Sequence, residues 1–411
     1  MLQLDVRPGD GLGPFKIGAS LWSILSLVRQ PHSKTLFPSV NILYDTITPS
    51  TSIVIVHLHP HIDLLFSGKG QRLHTIVLRR LRHGLPSSPK PVVHSLGTTP
   101  GTSVSSSARS RTGAGGSALI LRYKNTIILS PDEVLRKFGV MKHFGPTYEG
   151  DLMKYPGIMF SIFDEDGAPS TAALMRATAG VSVDESKRAE VKKIIITQKV
   201  PEGGDVDAFD EVLECPAMEG DLSSVILKPH EGVDLFFFPS DSAKRTLRLG
   251  VSTAEDIRYE LGEPMNVYYK EDDRIAIHAP SPEEDASLNS YFMNYFNHGI
   301  DCFVDGSTHV LKKIIVHSNT LGSPLFQRYK RCPWEISDPS LGSQIVRYSD
   351  PFETINGYLG ERSDSSPPMV LDRSEDYDAL SIQAFSTRLF GFDGIILEVS
   401  ATDQVVSVTI Y

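Results

Sequence analysis

Four times along the chain the signature of a short capped helix is followed by a train of short β-branched runs, and this recurrence constrains the fold more than any other feature. Two nearly identical phrases make it visible. Residues 191–198 read VKKIIITQ and residues 310–317 read VLKKIIVH. Upstream of the second lies VSTAEDIRYELGEP (251–264), in which Ser252 and Glu255 fit a capping box and Gly262 a helix stop. Upstream of the first lies LSPDEVLRKFG (129–139), with Ser130 and Glu133 as the box, Pro131 at the first helical position and Gly139 as the stop. YSDPFETINGYLGE (348–361) offers Asp350, Glu353 and Gly360 in the same roles. IGASLWSILSLVRQP (17–31) offers Ser20 as cap and Pro31 as terminator.

Each helix is followed by short β-branched or aromatic runs bounded by Gly, Asp, Ser or Pro, as strands are. The resulting units span 18–79, 129–198, 250–317 and 349–410. RLHTIVLRR, VKKIIIT, VLKKIIVH and QVVSVTIY close them. A helix followed by runs of strands argues an α+β fold rather than a parallel βαβ fold. The sequence therefore predicts tandem helix-plus-antiparallel-sheet repeats, about four units in two halves. SALILRY (117–123), VDLFFFP (233–239) and QIVRYS (344–349) are read as strands joining neighbours. The divisions expected are 1–82, a basic Ser/Gly/Pro insertion at 83–117, 118–200, a connector at 201–247, 248–336 and 337–411.

Charge is uneven. The chain of 411 residues carries a net charge of −10, which argues against a general nucleic-acid binder. Between Asp63 and Asp132 there is no acidic residue and there are ten basic ones, a block of +10 in a chain whose remainder carries −20. Residues 84–117 lack aromatics and any apolar period, so the sequence reads as disordered there. Lys69, Arg72, Arg79, Arg80 and Arg82 form the candidate patch for an anionic membrane or an acidic partner. No run of 18 apolar residues exists and the N-terminus lacks the pattern of a secretory signal. Three isolated cysteines build neither a disulfide framework nor a metal site, and fit a reducing cytoplasmic compartment.

Candidate chemistry is sparse. His57, His59 and His61 would share one face of a strand with Asp63, but Pro60 interrupts it and no second cluster completes a metal site. Asp164, Glu165 and Asp166 read as a solvated turn. GKGQR (68–72) and GAGGS (113–117) lack phosphate-loop spacing, and no nucleophile motif is present. No catalytic residue, cofactor or metal is therefore expected. YFMNYFNHGIDCFVD (291–305) crowds aromatics on both faces of a strand, which means burial on both sides or a partner surface. Tyr291, Phe292, Tyr295, Phe296, Lys312 and Lys313 are the candidate partner residues, with core as the default for the aromatics.

LGEPMNVYYKEDDRIAIHAPSP (261–282), YFMNYFNHGIDCFVDGSTHVLKKIIVHSN (291–319) and YKRCPWEI (329–336) resemble the phagosome assembly factor 1 family. GPFKIGASLWSIL, VNILYD, HIDLLFSGKGQRLHTIVL and the terminal VSVTIY extend the resemblance over nearly the whole chain. It departs at the 84–117 insertion and across 165–245. The resemblance implies a non-enzymatic cytoplasmic adaptor in autophagy, joined to a WD-repeat β-propeller partner and to phosphoinositide-containing phagophore membrane. It also implies a link with Golgi-to-plasma-membrane transport. A hydrolase or small-ligand-binding protein with a cleft between repeats is the reading from another class, and a deep polar pocket with clustered Asp, His or Ser would support it.

Overall fold

A computed structural model describes residues 2–81, 119–147, 152–162, 189–199, 211–269, 290–337, 345–360, 368–372 and 386–411. The 83–117 insertion, the Asp164–Asp166 turn, GAGGS and Arg82 lie outside the described residues. The first half runs β1 (Leu2–Arg7), β2 (Gly11–Leu12), β3 (Phe15–Lys16), α1 (Leu21–Arg29), α2 (Pro31–Leu36), β4 (Val40–Leu43), β5 (Val54–Leu58), β6 (Ile62–Phe66) and β7 (Leu73–Leu78). It continues through β8 (Leu119–Tyr123), β9 (Thr126–Leu129), α3 (Lys137–Phe144), β10 (Leu152–Tyr155), β11 (Ile158–Ser161) and β12 (Lys193–Thr197). The second half runs β13 (Leu222–Lys228), β14 (Gly232–Phe237), β15 (Arg245–Arg248), α4 (Ala254–Leu261), β16 (Asn266–Tyr269), β17 (Tyr291–Tyr295), β18 (Ile300–Val304) and β19 (Leu311–His317). Then come β20 (Trp334–Ser337), β21 (Ile345–Arg347), α5 (Phe352–Gly360), β22 (Met369–Asp372), β23 (Ser386–Phe392), β24 (Ile395–Val399) and β25 (Val405–Ile410).

Among the described residues the structure is mixed, with few helices and many strands in four sheets. The sheets do not correspond one to one with the four expected units. β10-β11-β12-β7-β6-β5-β4 form one sheet of seven strands, and β16-β17-β18-β19-β25-β24-β23-β22 one of eight. The expected closing strands meet in the middle of each: β7 pairs antiparallel with β12, and β19 with β25. The two KKII phrases lie on opposite sides of two such seams, Ile194 opposite Leu78 and Ile314 opposite Ile410. SALILRY, VDLFFFP and QIVRYS supply β8, β14 and β21 to two smaller five-stranded sheets, β3-β2-β1-β8-β9 and β15-β14-β13-β20-β21. In each of these the first strand meets its later partner in parallel, β1 with β8 and β13 with β20.

The helices are short; α1 starts where expected, whereas α3 and α4 start later. Ser20 caps α1, accepting from the Ser23 N–H at 3.2 Å, and Pro31 opens α2 as well as ending α1. The box on α4 is Thr253 with Asp256, one residue beyond the expected pair. Ser252 is engaged elsewhere, accepting from the Arg248 N–H at 2.9 Å. Ser130 does accept from the Glu133 N–H, at 3.1 Å, but closes a turn. Helix α3 begins only after Arg136, whose strand-like backbone bridges Glu190, and so Gly139 falls inside it and Gly145 ends it. Gly360 is the last residue of α5 rather than the residue beyond it. The cap residues Ser20 and Thr253 also form isolated bridges, to Arg72 and Val310.

Each half has its own core. Leu21, Ile24, Leu25 and Val28 of α1 face the buried side of the seven-stranded sheet, where Val54, Leu64, Ile76 and Ile194 lie. Ile257 and Leu261 of α4, with Ile355 and Leu359 of α5, face Met293, Cys302, Ile314 and Val408. Each such aliphatic side chain contributes about 1.5–3 kcal/mol when fully buried.

The join between halves combines apolar packing of Leu321 and Phe326 on the first core with polar contacts. Gln71 Nε2 donates to the Asn319 carbonyl at 3.1 Å, and Asn319 Nδ2 donates back to Gln71 Oε1 at 3.0 Å. Arg331 is buried and its Nη1 donates to the carbonyls of Ser50, Gly68 and Lys69 at 2.8, 2.9 and 2.8 Å. Burial lowers its pKa to about 10, so it remains charged and is held by backbone dipoles. Asp221 links Arg72 of one half to Lys330 of the other.

Candidate functional site

The candidate basic residues have different fates. Lys69 is exposed, and its backbone N–H donates to Glu211 at 2.9 Å. Arg80 is exposed and holds a φ of 51° just beyond β7. Arg72 is buried in its pair with Asp221. Arg79 pairs with Asp63 at 2.8 Å. Two of the five charges are therefore matched by carboxylates, two face solvent, and Arg82 is outside the described residues.

The histidines separate. His57 Nδ1 lies 2.6 Å from Asp63 Oδ1, and the His59 ring centroid is 6.3 Å from that of His57. His61 instead lies beyond the turn, buried, with Nδ1 3.0 Å from the Arg80 carbonyl. The expected shared face is lost because the chain reverses between β5 and β6. Among the described residues no group of three or more His, Cys, Asp or Glu is arranged to hold a metal ion.

The aromatic strand β17 divides by the two-residue period of a strand. Tyr291, Met293 and Tyr295 point into the core, and the Tyr295 hydroxyl donates to the Gly262 carbonyl at 3.0 Å. Burial raises the pKa of that hydroxyl. Phe292 points the other way and packs on Phe303 at 4.7 Å, while Phe296 meets Tyr329 at 5.1 Å. Lys312 is exposed, 3.9 Å from Asp305. Lys313 is exposed beside it.

Phe292 and Lys313 lead to a concavity of the second half. One face of the eight-stranded sheet carries α4, α5 and the core; the other encloses a cavity of about 710 Å³. Its lining takes residues from every strand of that sheet: Tyr268, Phe292, Asp301, Lys313, Ser407, Glu398, Leu389 and Leu371 among them. Laid flat, eight strands would hold their edges about 34 Å apart at the usual spacing of about 4.8 Å. A single cavity touching both edge strands therefore requires the sheet to curl. Leu325 and Tyr329, from the 318–333 segment, close one side.

A belt of polar side chains crosses the floor. Asn266 Nδ2 donates to Asn294 Oδ1 at 3.0 Å, and Asn294 Nδ2 donates to Asp301 Oδ1 at 2.8 Å. The other oxygen of Asp301 accepts from Tyr329 at 2.7 Å and lies 2.9 Å from His317 Nε2. His317 is 5% exposed, stacks on the Tyr329 ring at 3.6 Å, and its Nδ1 has no hydrogen-bond partner. Across β25, Ser407 donates to Glu398 Oε2 at 2.7 Å and Thr387 to Oε1 at 2.8 Å. The sequence analysis singled out Phe292 and Lys313 but not Asp301, His317, Ser407 or Glu398. Only the register brings those four together: His317 faces Ser407, which faces Glu398.

Comparison with known proteins decides the family. The profile for Phagosome assembly factor 1 matches residues 115–411. The chain belongs to the PHAF1 family. A PHAF1 protein of Arabidopsis thaliana is 23% identical over 99% of this chain and 92% of its own length. A PHAF1 protein of Caenorhabditis elegans is 25% identical over 72% of this chain and 74% of its own. One of Drosophila melanogaster is 29% identical over 41% of each. No solved structure matches. The resemblance carried by 261–282, 291–319 and 329–336 thus falls inside the matched PHAF1 region. So does the whole cavity lining.

Proposed function

We propose that this PHAF1 family member is a non-catalytic adaptor of phagosome assembly, joining a WD-repeat β-propeller partner to phosphoinositide-containing membrane in autophagy. The observation that carries the reading is the match of residues 115–411 to the phagosome assembly factor family. Membrane contact is assigned to Lys69 and Arg80, the described basic residues of the patch that face solvent, together with the basic segment that follows them in sequence. Peripheral rather than spanning association is in keeping with the described residues, among which no helix is long and apolar enough to cross a membrane. Native co-purification of the tagged chain from fed and starved cells tests the reading. Recovery of a WD-repeat propeller protein, enriched on starvation, is the expected result. Recovery of the chain alone in both states would overturn it.

We also read the chain as about four related helix-plus-sheet units. Three helix-start residues bridge the region just before a closing strand: Ser20 with Arg72, Arg136 with Glu190, and Thr253 with Val310. Asp63 and Asp301 occupy matching places in β6 and β18, opposite His57 and Asn294. Each pairs with a side chain at the end of the next strand, Arg79 and His317. Both pairings carry a register shift at the far end of the first strand. A ligand-binding reading is favoured by one observation, the polar cavity on the eight-stranded sheet.

A further inference from the structure

The cavity has the dimensions of a small-molecule site. Its volume of about 710 Å³ lies inside the range of roughly 300–1,000 Å³ in which such sites fall. Curled sheets of about eight strands enclose space for one small ligand.

Its chemistry selects among ligands. Phe292, Ile315, Leu389 and Ile396 are half-buried apolar side chains turned to the cavity rather than to the core. The two floor carboxylates are already supplied with donors from the protein: Asp301 by Asn294, Tyr329 and His317, and Glu398 by Thr387 and Ser407. They do not call for a cation. The unmatched charge is positive. Lys313 lies on the wall with no carboxylate of the described residues in ion-pair range, its ammonium 5.7 Å from the Tyr411 ring centroid, whereas its neighbour Lys312 has Asp305.

We propose that the concave face of the eight-stranded sheet binds a small anionic amphiphile. Its acid group pairs with Lys313, and its apolar body lies over Phe292, Ile315 and Ile396. A soluble long-chain carboxylate and a membrane phospholipid share this chemistry. The site differs from the patch at Lys69 and Arg80, and it stands whether or not the chain joins a propeller partner.

The test is a fluorescence titration of the full chain with 1-anilinonaphthalene-8-sulfonate, a flat apolar anion. One saturable site is expected. Lys313→Met should weaken it at least tenfold, and Lys312→Met should leave it unchanged. Neutral N-phenyl-1-naphthylamine should bind without regard to Lys313. Thr409→Trp fills the floor between Ile315 and Ile396 and should abolish binding while the thermal midpoint holds. Displacement by oleate would assign a soluble carboxylate. Displacement by phosphatidylcholine vesicles carrying phosphatidic acid, but not by oleate, would assign a membrane lipid. Absence of saturable binding, equal loss in both lysine variants, binding that survives Thr409→Trp, or displacement by neither competitor would overturn the proposal.

Discussion

His298 shows how a single buried side chain can set the response of the second half to acid. Its ring lies edge-on to Phe237 at 5.6 Å, and its Nδ1 has no partner. Burial pushes its pKa down to about 4, and Lys330 and Arg245 add to the effect against Asp221. The folded state therefore holds the neutral ring while the unfolded chain binds a proton near pH 6.5. Stability is full above pH 6.5 and falls as the pH drops from 6.5 towards 4. The loss amounts to roughly 3 kcal/mol at about 1.4 kcal/mol per unit. His298→Gln should flatten that part of the profile, which urea midpoints at pH 7.5, 6, 5 and 4.5 would read. A slope as steep as the parent's would assign the acid response to another group.

At the scale of elements, two glycines with the same backbone sign separate conformation from crowding. Gly262 ends α4 with φ 83°, and a Cβ there would meet nothing within 4 Å. Gly299 turns β17 into β18 with φ 71°, and a Cβ there would stand 2.1 Å from the Lys330 carbonyl oxygen. Gly262→Ala should cost about 1–3 kcal/mol, the penalty of a backbone conformation (φ 83°, ψ −166°) that essentially only glycine adopts. Gly299→Ala should cost roughly 2–4 kcal/mol, because backbone on both sides must move. Denaturant midpoints of the two variants should differ accordingly, and equal midpoints would show that the 318–333 segment yields easily. The Gly262 stop was legible in the sequence because it depends on one residue. The start of α3 was not, because the bridge from Arg136 to Glu190 that delays it joins residues far apart. Ser20 by contrast bridges Arg72 and still caps α1 where the sequence places it.

For the whole molecule the sequence told much about pieces and little about their partners. The closing strands RLHTIVLRR, VKKIIIT, VLKKIIVH and QVVSVTIY could be read because alternation and β-branching are local properties. That they would pair with each other could not, since strand pairing is decided between segments distant in sequence. The candidate site followed the same division. Phe292 and Lys313 stood out by composition, whereas Asp301, His317, Ser407 and Glu398 meet only across the β18·β19·β25·β24 register.

Both sheets of the first half draw strands from each side of the 83–117 segment: β1 with β8, and β7 with β12. The covalent link through that segment is therefore the least of what joins them. Residues 1–95 and 105–411, made as two separate polypeptides, should find one another, co-purify, and melt within a few degrees of the intact chain, while 1–95 alone should be insoluble. If the two do not co-purify, connectivity rather than sheet pairing holds the half together. If they do, the protein is a ready-made split pair, whose reassembly reports when two tagged molecules have come within reach of each other.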